Sequence, residues 1–144
     1  MQTPPKRERL RLAGLSYKPL PEGGRLIVVE LEWRGTMYRG EAIGTGTLEG
    51  DLRASGEAAA AAAGAATGHK VSLTLLGIKA VRAFDGRVII AAVEAKSEGK
   101  PQKLLGAQVL TEGDLPPAGV LTVLAAVNRI LAPFLTGDDE PGDR

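Results

Sequence analysis

The sequence predicts an α+β domain built from two βββα repeats, each an antiparallel three-strand meander followed by a helix, related by approximate twofold symmetry. Three observations predict it. The tetrapeptide Glu49-Gly50-Asp51-Leu52 recurs as Glu112-Gly113-Asp114-Leu115, 63 positions on. Gly14 and Gly77 share that offset, and the pairs Gly24-Arg25 and Gly86-Arg87 miss it by one position, so the anchors keep their order as in a duplicated unit. Strand-period alternation precedes each copy of the tetrapeptide, and helix-like sequence follows it.

The elements follow in order. Residues 1–8, with Pro4-Pro5 and three charged side chains, read as a disordered lead-in. From Arg9 the chain alternates, with Arg9 and Arg11 on one face and Leu10 and Leu12 on the other. Pro19, Pro21 and Gly23-Gly24 make a turn. Arg25 to Arg34 is the clearest strand, with Ile27, Val29, Leu31 and Trp33 opposite Glu30, Glu32 and Arg34. Arg34-Gly35-Thr36 reverses the chain into a third strand, Met37 to Gly46, whose glycines mark a bulge or the close approach of another backbone. An alanine-dominated helix spans Asp51 to Ala66, where Gly56, Ala60 and Gly64 form a flat stripe that lets a neighbour come close. Gly64 and Thr67-Gly68 end it.

The second half repeats this plan. Lys70 to Phe84 is a long strand bent at Gly77, and Asp85-Gly86 signals a hairpin into Arg87 to Lys96. That strand is apolar on both faces at its start, which predicts a central position. Glu98-Gly99-Lys100 turns into Gln102 to Leu110. Asp114, Pro116 and Pro117 open the last helix, whose seam is Val120, Leu124, Val127, Leu131 and Phe134 or Leu135. Pro133 weakens its last turn. The expected layout is a first half over 9–68 and a second over 69–136, sharing one domain, with an acidic disordered tail over 137–144.

Composition bounds the function. The 144 residues carry 24% charged and 44% hydrophobic side chains, ordinary for a soluble domain. A net charge of +1 speaks against a strongly electrostatic partner such as bulk nucleic acid or an anionic membrane. The absence of cysteine excludes disulfides and thiolate metal sites and fits a cytoplasmic home. No apolar run is expected to reach the roughly 20 residues of a membrane span, and no signal-peptide core follows the basic N-terminus. Aromatics are only 3%, so Leu, Val, Ile and close backbone approach must build the core. Leu26 and Val28, on the strand face opposite Trp33, add the expectation of a homodimer.

This layout resembles the C-terminal regulatory domain of the 2-isopropylmalate synthase family. The matching residues are Gly44-Thr45-Gly46 before the first helix, Leu105-Gly106-Ala107, and Gly113-Asp114 leading into a helix with Ala125-Ala126-Val127-Asn128. The resemblance implies a pseudo-twofold, dimeric module that binds an end-product amino acid at the dimer interface. The chain departs from the family at Pro116-Pro117 and contains no catalytic barrel.

Candidate chemistry is sparse. His69 is the single histidine, a strand-edge polar residue with no partner for a zinc site. Ser55 and Ser72 lack the sequence context of a catalytic serine. Gly44 to Gly50 looks like a phosphate loop without the Rossmann or Walker pattern, and Glu49 and Asp51 already put negative charge there. Glu30 and Glu32 share a strand face, read as cross-strand ion pairs with the nearby arginines. Asp51 and Asp114 are expected to be the N-caps of the two helices, with Gly50 and Gly113 supplying the turn.

The expectation is thus a non-enzymatic small-molecule-binding or regulatory module, homodimeric and without a cofactor, with Gly44, Thr45, Gly46 and Gly106 as ligand-contact residues. The alternative is a nucleic-acid-associated protein using Arg7, Arg9, Arg11 and Arg25, with Tyr17, Trp33 and Tyr38 as the aromatics that could stack. A purely structural or partner-binding subunit is the third reading.

Overall fold

The structure, a computed structural model, describes residues 9–110 and 115–135. The expected lead-in over 1–8, the tail over 137–144 and the proposed caps Gly113 and Asp114 lie outside the described residues. The element order is β1 (Arg11–Pro19), β2 (Arg25–Trp33), β3 (Thr36–Gly44), α1 (Leu48–Ala66), β4 (Val71–Ala83), β5 (Gly86–Ser97), β6 (Lys100–Val109) and α2 (Leu115–Leu131). Two antiparallel meanders result, β1-β2-β3 (sheet A) and β4-β5-β6 (sheet B), each followed by its helix. This is the βββα duplication the repeat predicts.

The anchors that revealed the repeat mark equivalent irregularities. The β1–β2 register slips between Leu12 and Gly14, and the β4–β5 register slips between Leu75 and Gly77. One extra residue in the first strand of each sheet is a β-bulge, which sharpens the local twist. Arg25 and Gly86-Arg87 begin the two central strands.

Three of the hairpins turn on two consecutive left-handed residues: Arg34 (φ 53°) with Gly35 (84°), Phe84 (53°) with Asp85 (61°), and Glu98 (55°) with Gly99 (78°). Such turns match the twist of the flanking strands. The second corrects the expected Asp85-Gly86 turn by one position, because Gly86 already pairs with Ala83 as the first residue of β5.

Helix α1 starts three residues before its expected first residue, with Thr47 as N-cap. It is buried on nearly all sides, which an alanine helix allows because its surface is almost flat. Ala58 and Ala62 lie against β3 at Gly40. On another face Gly56 meets Leu75 and Ile78 of β4 and Val123 of α2, and Gly119 of α2 rests on Leu52 and Ser55. The predicted seam of α2 is buried at Val120, Leu124, Val127, Leu131 and Leu135. Pro133 falls in a 3-10 turn, Ala132–Phe134, just past the end of α2.

The halves share one core that runs from Ile27, Val29 and Leu31 of sheet A through the helices to Ala91 and Val93 of sheet B. Trp33 belongs to it, 3% exposed, with the Arg34 guanidinium 4.7 Å from its ring. Its Nε1 finds no acceptor among the described residues. The stretch Pro117–Phe134 is, by length and composition, apolar enough to cross a membrane, which qualifies the expectation drawn from apolar runs. Half of it is buried here, as the core helix of this domain.

Candidate functional site

The loop from β3 into α1 is the expected ligand seat, and its Gly46 and Gly50 N–H groups are occupied from within. Gly46 takes a left-handed φ of 88°. Thr47 Oγ1 accepts the Gly50 N–H at 3.0 Å and lies 2.7 Å from Thr45 Oγ1. Asp51 stands one turn into the helix, so it is not the N-cap, and Gly50 is a helical residue rather than the turn. Its carboxylate reaches back instead, with Oδ1 accepting the Gly46 N–H at 3.1 Å. Oδ2 accepts from Arg25 Nε at 3.1 Å and closely from Arg25 Nη2.

Asp51 is 3% exposed. A Cβ at Gly44 would collide with its Oδ1, so the glycine makes room for the carboxylate. The Arg25 guanidinium lies 5.0 Å from the Tyr17 ring centroid. Burial pushes the Tyr17 phenol above its ordinary value, Arg25 opposes this, and Asp51 adds to it. The Asp51 carboxylate thus holds the place where an anionic ligand would meet the loop, and a cation neutralises it.

Gly106 does not join this loop. It sits in β6, where a Cβ would meet the Thr122 carbonyl and, at 2.7 Å, the Ala126 nitrogen of α2. Gly44, Thr45, Gly46 and Gly106 therefore form no common site, and none of them lines either of the two clefts described next.

The basic residues separate as well. Arg7 lies outside the described residues. Arg11 pairs with Glu32 at 2.7 Å, and Arg25 begins β2 seven residues from Glu32, turned toward α1. Arg9 and Arg11 stay together beside the cleft described below, while Arg25 meets Tyr17 on the side facing α1 and Trp33 is buried, so the three do not share one face with the expected aromatics. Glu30 and Glu32 lie on the outer face of sheet A. Glu32 Oε2 accepts the Gly35 N–H at 2.7 Å, and this bond, with Arg11 second, holds its carboxyl below the ordinary 4.5. Arg39 pairs with Glu41 at 2.8 Å. His69 is exposed at a left-handed φ of 64° in the turn before β4. Among the described residues no group of three His, Asp or Glu side chains could hold a metal ion.

The larger cleft, about 570 Å³, lies where β1 enters sheet A. Leu12, Leu121, Leu124 and Ala125 give it apolar walls, and Arg9, Arg11, Gln108 and Asn128 ring it with polar groups. Asn128 ties the two sides together. Its Oδ1 accepts the Leu10 N–H at 2.9 Å and its Nδ2 donates to the Leu10 carbonyl at 3.2 Å. The side chain thereby imitates a neighbouring strand. The sequence signal is a single amide on a helix whose other polar side chains are Thr122 and Arg129, a poor helix former where an aliphatic residue would pack. A smaller cleft of about 340 Å³ separates the start of α1 (Leu48, Glu49, Leu52, Arg53) from β4 and β5 (Lys79, Arg87).

No protein-family model matches the chain, and no curated protein matches it in sequence.

Proposed function

We propose that the chain is a non-enzymatic small-molecule-binding module, cytoplasmic and homodimeric, whose ligand seat is the cleft between the start of β1 and α2. One observation carries the binding part: the internal symmetry is broken there. Helix α1 packs along β4, the first strand of the other half, with Gly56 close against Leu75 and Ile78. Helix α2 meets β1 only sparsely, and the space left over is the cleft. Its chemistry favours a ligand with a short aliphatic body and a carboxylate, the body against Leu121 and Leu124 and the head near Arg9. The resemblance to an amino-acid-binding regulatory domain supports the same ligand class.

A thermal-shift screen of aliphatic amino acids and short branched carboxylates tests this. A ligand at one hundred times its dissociation constant adds about 2.7 kcal/mol, which raises Tm by roughly 5–10 °C in a domain of this size. Leu121→Glu, at a half-exposed wall of the cleft, is expected to abolish the shift while leaving the unliganded Tm within a few degrees. If no compound of this class moves Tm at millimolar concentration, the proposed seat is wrong.

A further inference from the structure

The two sheets have the same topology but opposite outer faces. Aligned on the bulge glycines, the outer rows of sheet A are Gly14–Glu30–Arg39, Ser16–Val28–Glu41 and Lys18–Leu26–Ile43. The equivalent rows of sheet B are Gly77–Ala92–Leu105, Lys79–Ile90–Ala107 and Val81–Val88–Val109. Where sheet A places two glutamates, an arginine and a lysine, sheet B places alanine, valine and leucine. Val109, Leu105 and Ile90 are 71%, 61% and 38% exposed, and Val81, Val88 and Ala92 are half-buried between them. The other face of the sheet is in the core, with Ile89, Ala91 and Val93 fully buried. Sheet A also exposes Met37 and Ile43 on its outer face, but among charged side chains, whereas the apolar block of sheet B is interrupted only by Lys79.

We propose that the outer face of sheet B binds the same face of a second copy of this chain, sheet on sheet. The proposal rests on the homodimeric part of the preceding reading and moves its surface from Leu26 and Val28 of sheet A, which Lys18, Glu30, Arg39 and Glu41 surround, to sheet B. Within residues 1–144, the stretches outside the described residues lack the side chains to cover the face. Residues 136–144 and 111–114 contain no large apolar residue, and residues 1–8 contain only Met1 besides prolines.

The size also fits. Strands of 13, 12 and 10 residues make a face of about 550 Å² in projection, its polar end included, at roughly 3.3 Å per residue and 4.8 Å between strands. Side-chain relief brings this toward the roughly 800 Å² per partner of a standard interface.

The pattern restricts the symmetry operator. A twofold axis running along β5 between the sheets sets apolar rows on apolar rows and keeps the polar rows, Thr74–Glu94–Lys103 and Ser72–Lys96–Pro101, together at one end. With the axis along β5, Ile90 lies near it and opposes its own copy. An axis across the strands over the Lys79–Ile90–Ala107 row also sets apolar rows on apolar rows, and there too Ile90 opposes its own copy. Lys79, on the edge strand β4, extends sideways into water.

The chain contains no cysteine, so Ile90→Cys carries the single thiol in the molecule. Packed sheets about 10 Å apart hold facing thiols within reach of a short bismaleimide, which is expected to link Ile90→Cys chains into a species of twice 15.0 kDa and to leave Val28→Cys, at the equivalent position on sheet A, unlinked. Leu105→Glu combined with Val109→Glu is expected to halve the sedimenting mass at micromolar concentration with the circular dichroism spectrum unchanged, since both positions are exposed in the protomer. A wild-type mass of 15.0 kDa throughout the micromolar range overturns both this face and the homodimer. A dimer that survives the two glutamates, or that links through Val28→Cys, keeps the homodimer and overturns this face.

Discussion

Gly40 and Gly106 hold the same position in the two halves. Each lies in the third strand of its sheet, and each lets the following helix rest on the strand backbone, Gly40 on Ala58 and Ala62, Gly106 on Thr122 and Ala126. A Cβ at either would stand 2.7 Å from a helix nitrogen, and closer still to a carbonyl oxygen. Backbone atoms cannot swing aside, so the helix must move.

Gly40→Ala and Gly106→Ala are each expected to cost about 1–3 kcal/mol by overpacking. Because they share no partner residue, the double substitution should cost close to the sum. Gly77→Ala is the control. Nothing lies within 4 Å of its missing Cβ and its φ is not left-handed, so it should be neutral or stabilising by under about 1 kcal/mol. Urea denaturation of the three variants reads these differences.

At the start of α1 two oxygens do different work. Thr47→Ala removes the cap on Gly50 and is expected to cost about 1 kcal/mol. Asp51→Ala strips the Gly46 N–H and Arg25 together and is expected to cost more, about 1–3 kcal/mol. The upper figure is limited because the Arg25 side chain is 39% exposed and can rehydrate. If Thr47→Ala is silent and Asp51→Ala costs no more than an ordinary cap, the assignment of the two roles fails.

Asn128 predicts a local signature rather than a global one. In Asn128→Ala the Leu10 N–H and carbonyl lose their partners, and stability is expected to fall by about 1–3 kcal/mol. Amide exchange at Leu10 should accelerate much more than exchange in β5. Equal acceleration at both would mean that the clamp acts only through the whole fold.

Glu32 sets an acid dependence. Its carboxyl is held below the ordinary 4.5 in the folded chain, first by the Gly35 N–H and then by Arg11. As pH falls, the unfolded chain takes up this proton before the folded one. The contribution is therefore complete above the unfolded value and is lost as pH drops through the folded value. Glu32→Gln should lower Tm at neutral pH, and the gap to wild type should close in acid. A gap that persists unchanged at low pH would trace the effect to something other than the charge.

The repeat was legible because its anchors are backbone positions. Gly14 and Gly77 follow the two bulges, and such positions leave the same residue in both copies. The helix start is not legible in the sequence because aspartate and threonine both make good caps, and the repeated tetrapeptide marks Asp51 rather than Thr47. The hairpin at Phe84-Asp85 was misplaced because an Asp-Gly pair is the stronger local signal, yet the pairing of Ala83 with Gly86 decided the register. The cleft was not legible at all. It depends on how far α2 stands from β1, a distance set by packing between halves rather than by any local pattern.

The seating of α1 on β4 also bears on how this chain survives damage. A protease cut at the exposed turn Gly68-His69-Lys70 would sever the covalent link between the halves, yet β4 would remain held against α1. The two fragments are complements, each exposing what the other covers, and neither has a finished interior alone. The nicked molecule should migrate as an intact particle until denaturant separates the pieces. Two genes, each encoding one half, could in principle replace the single one.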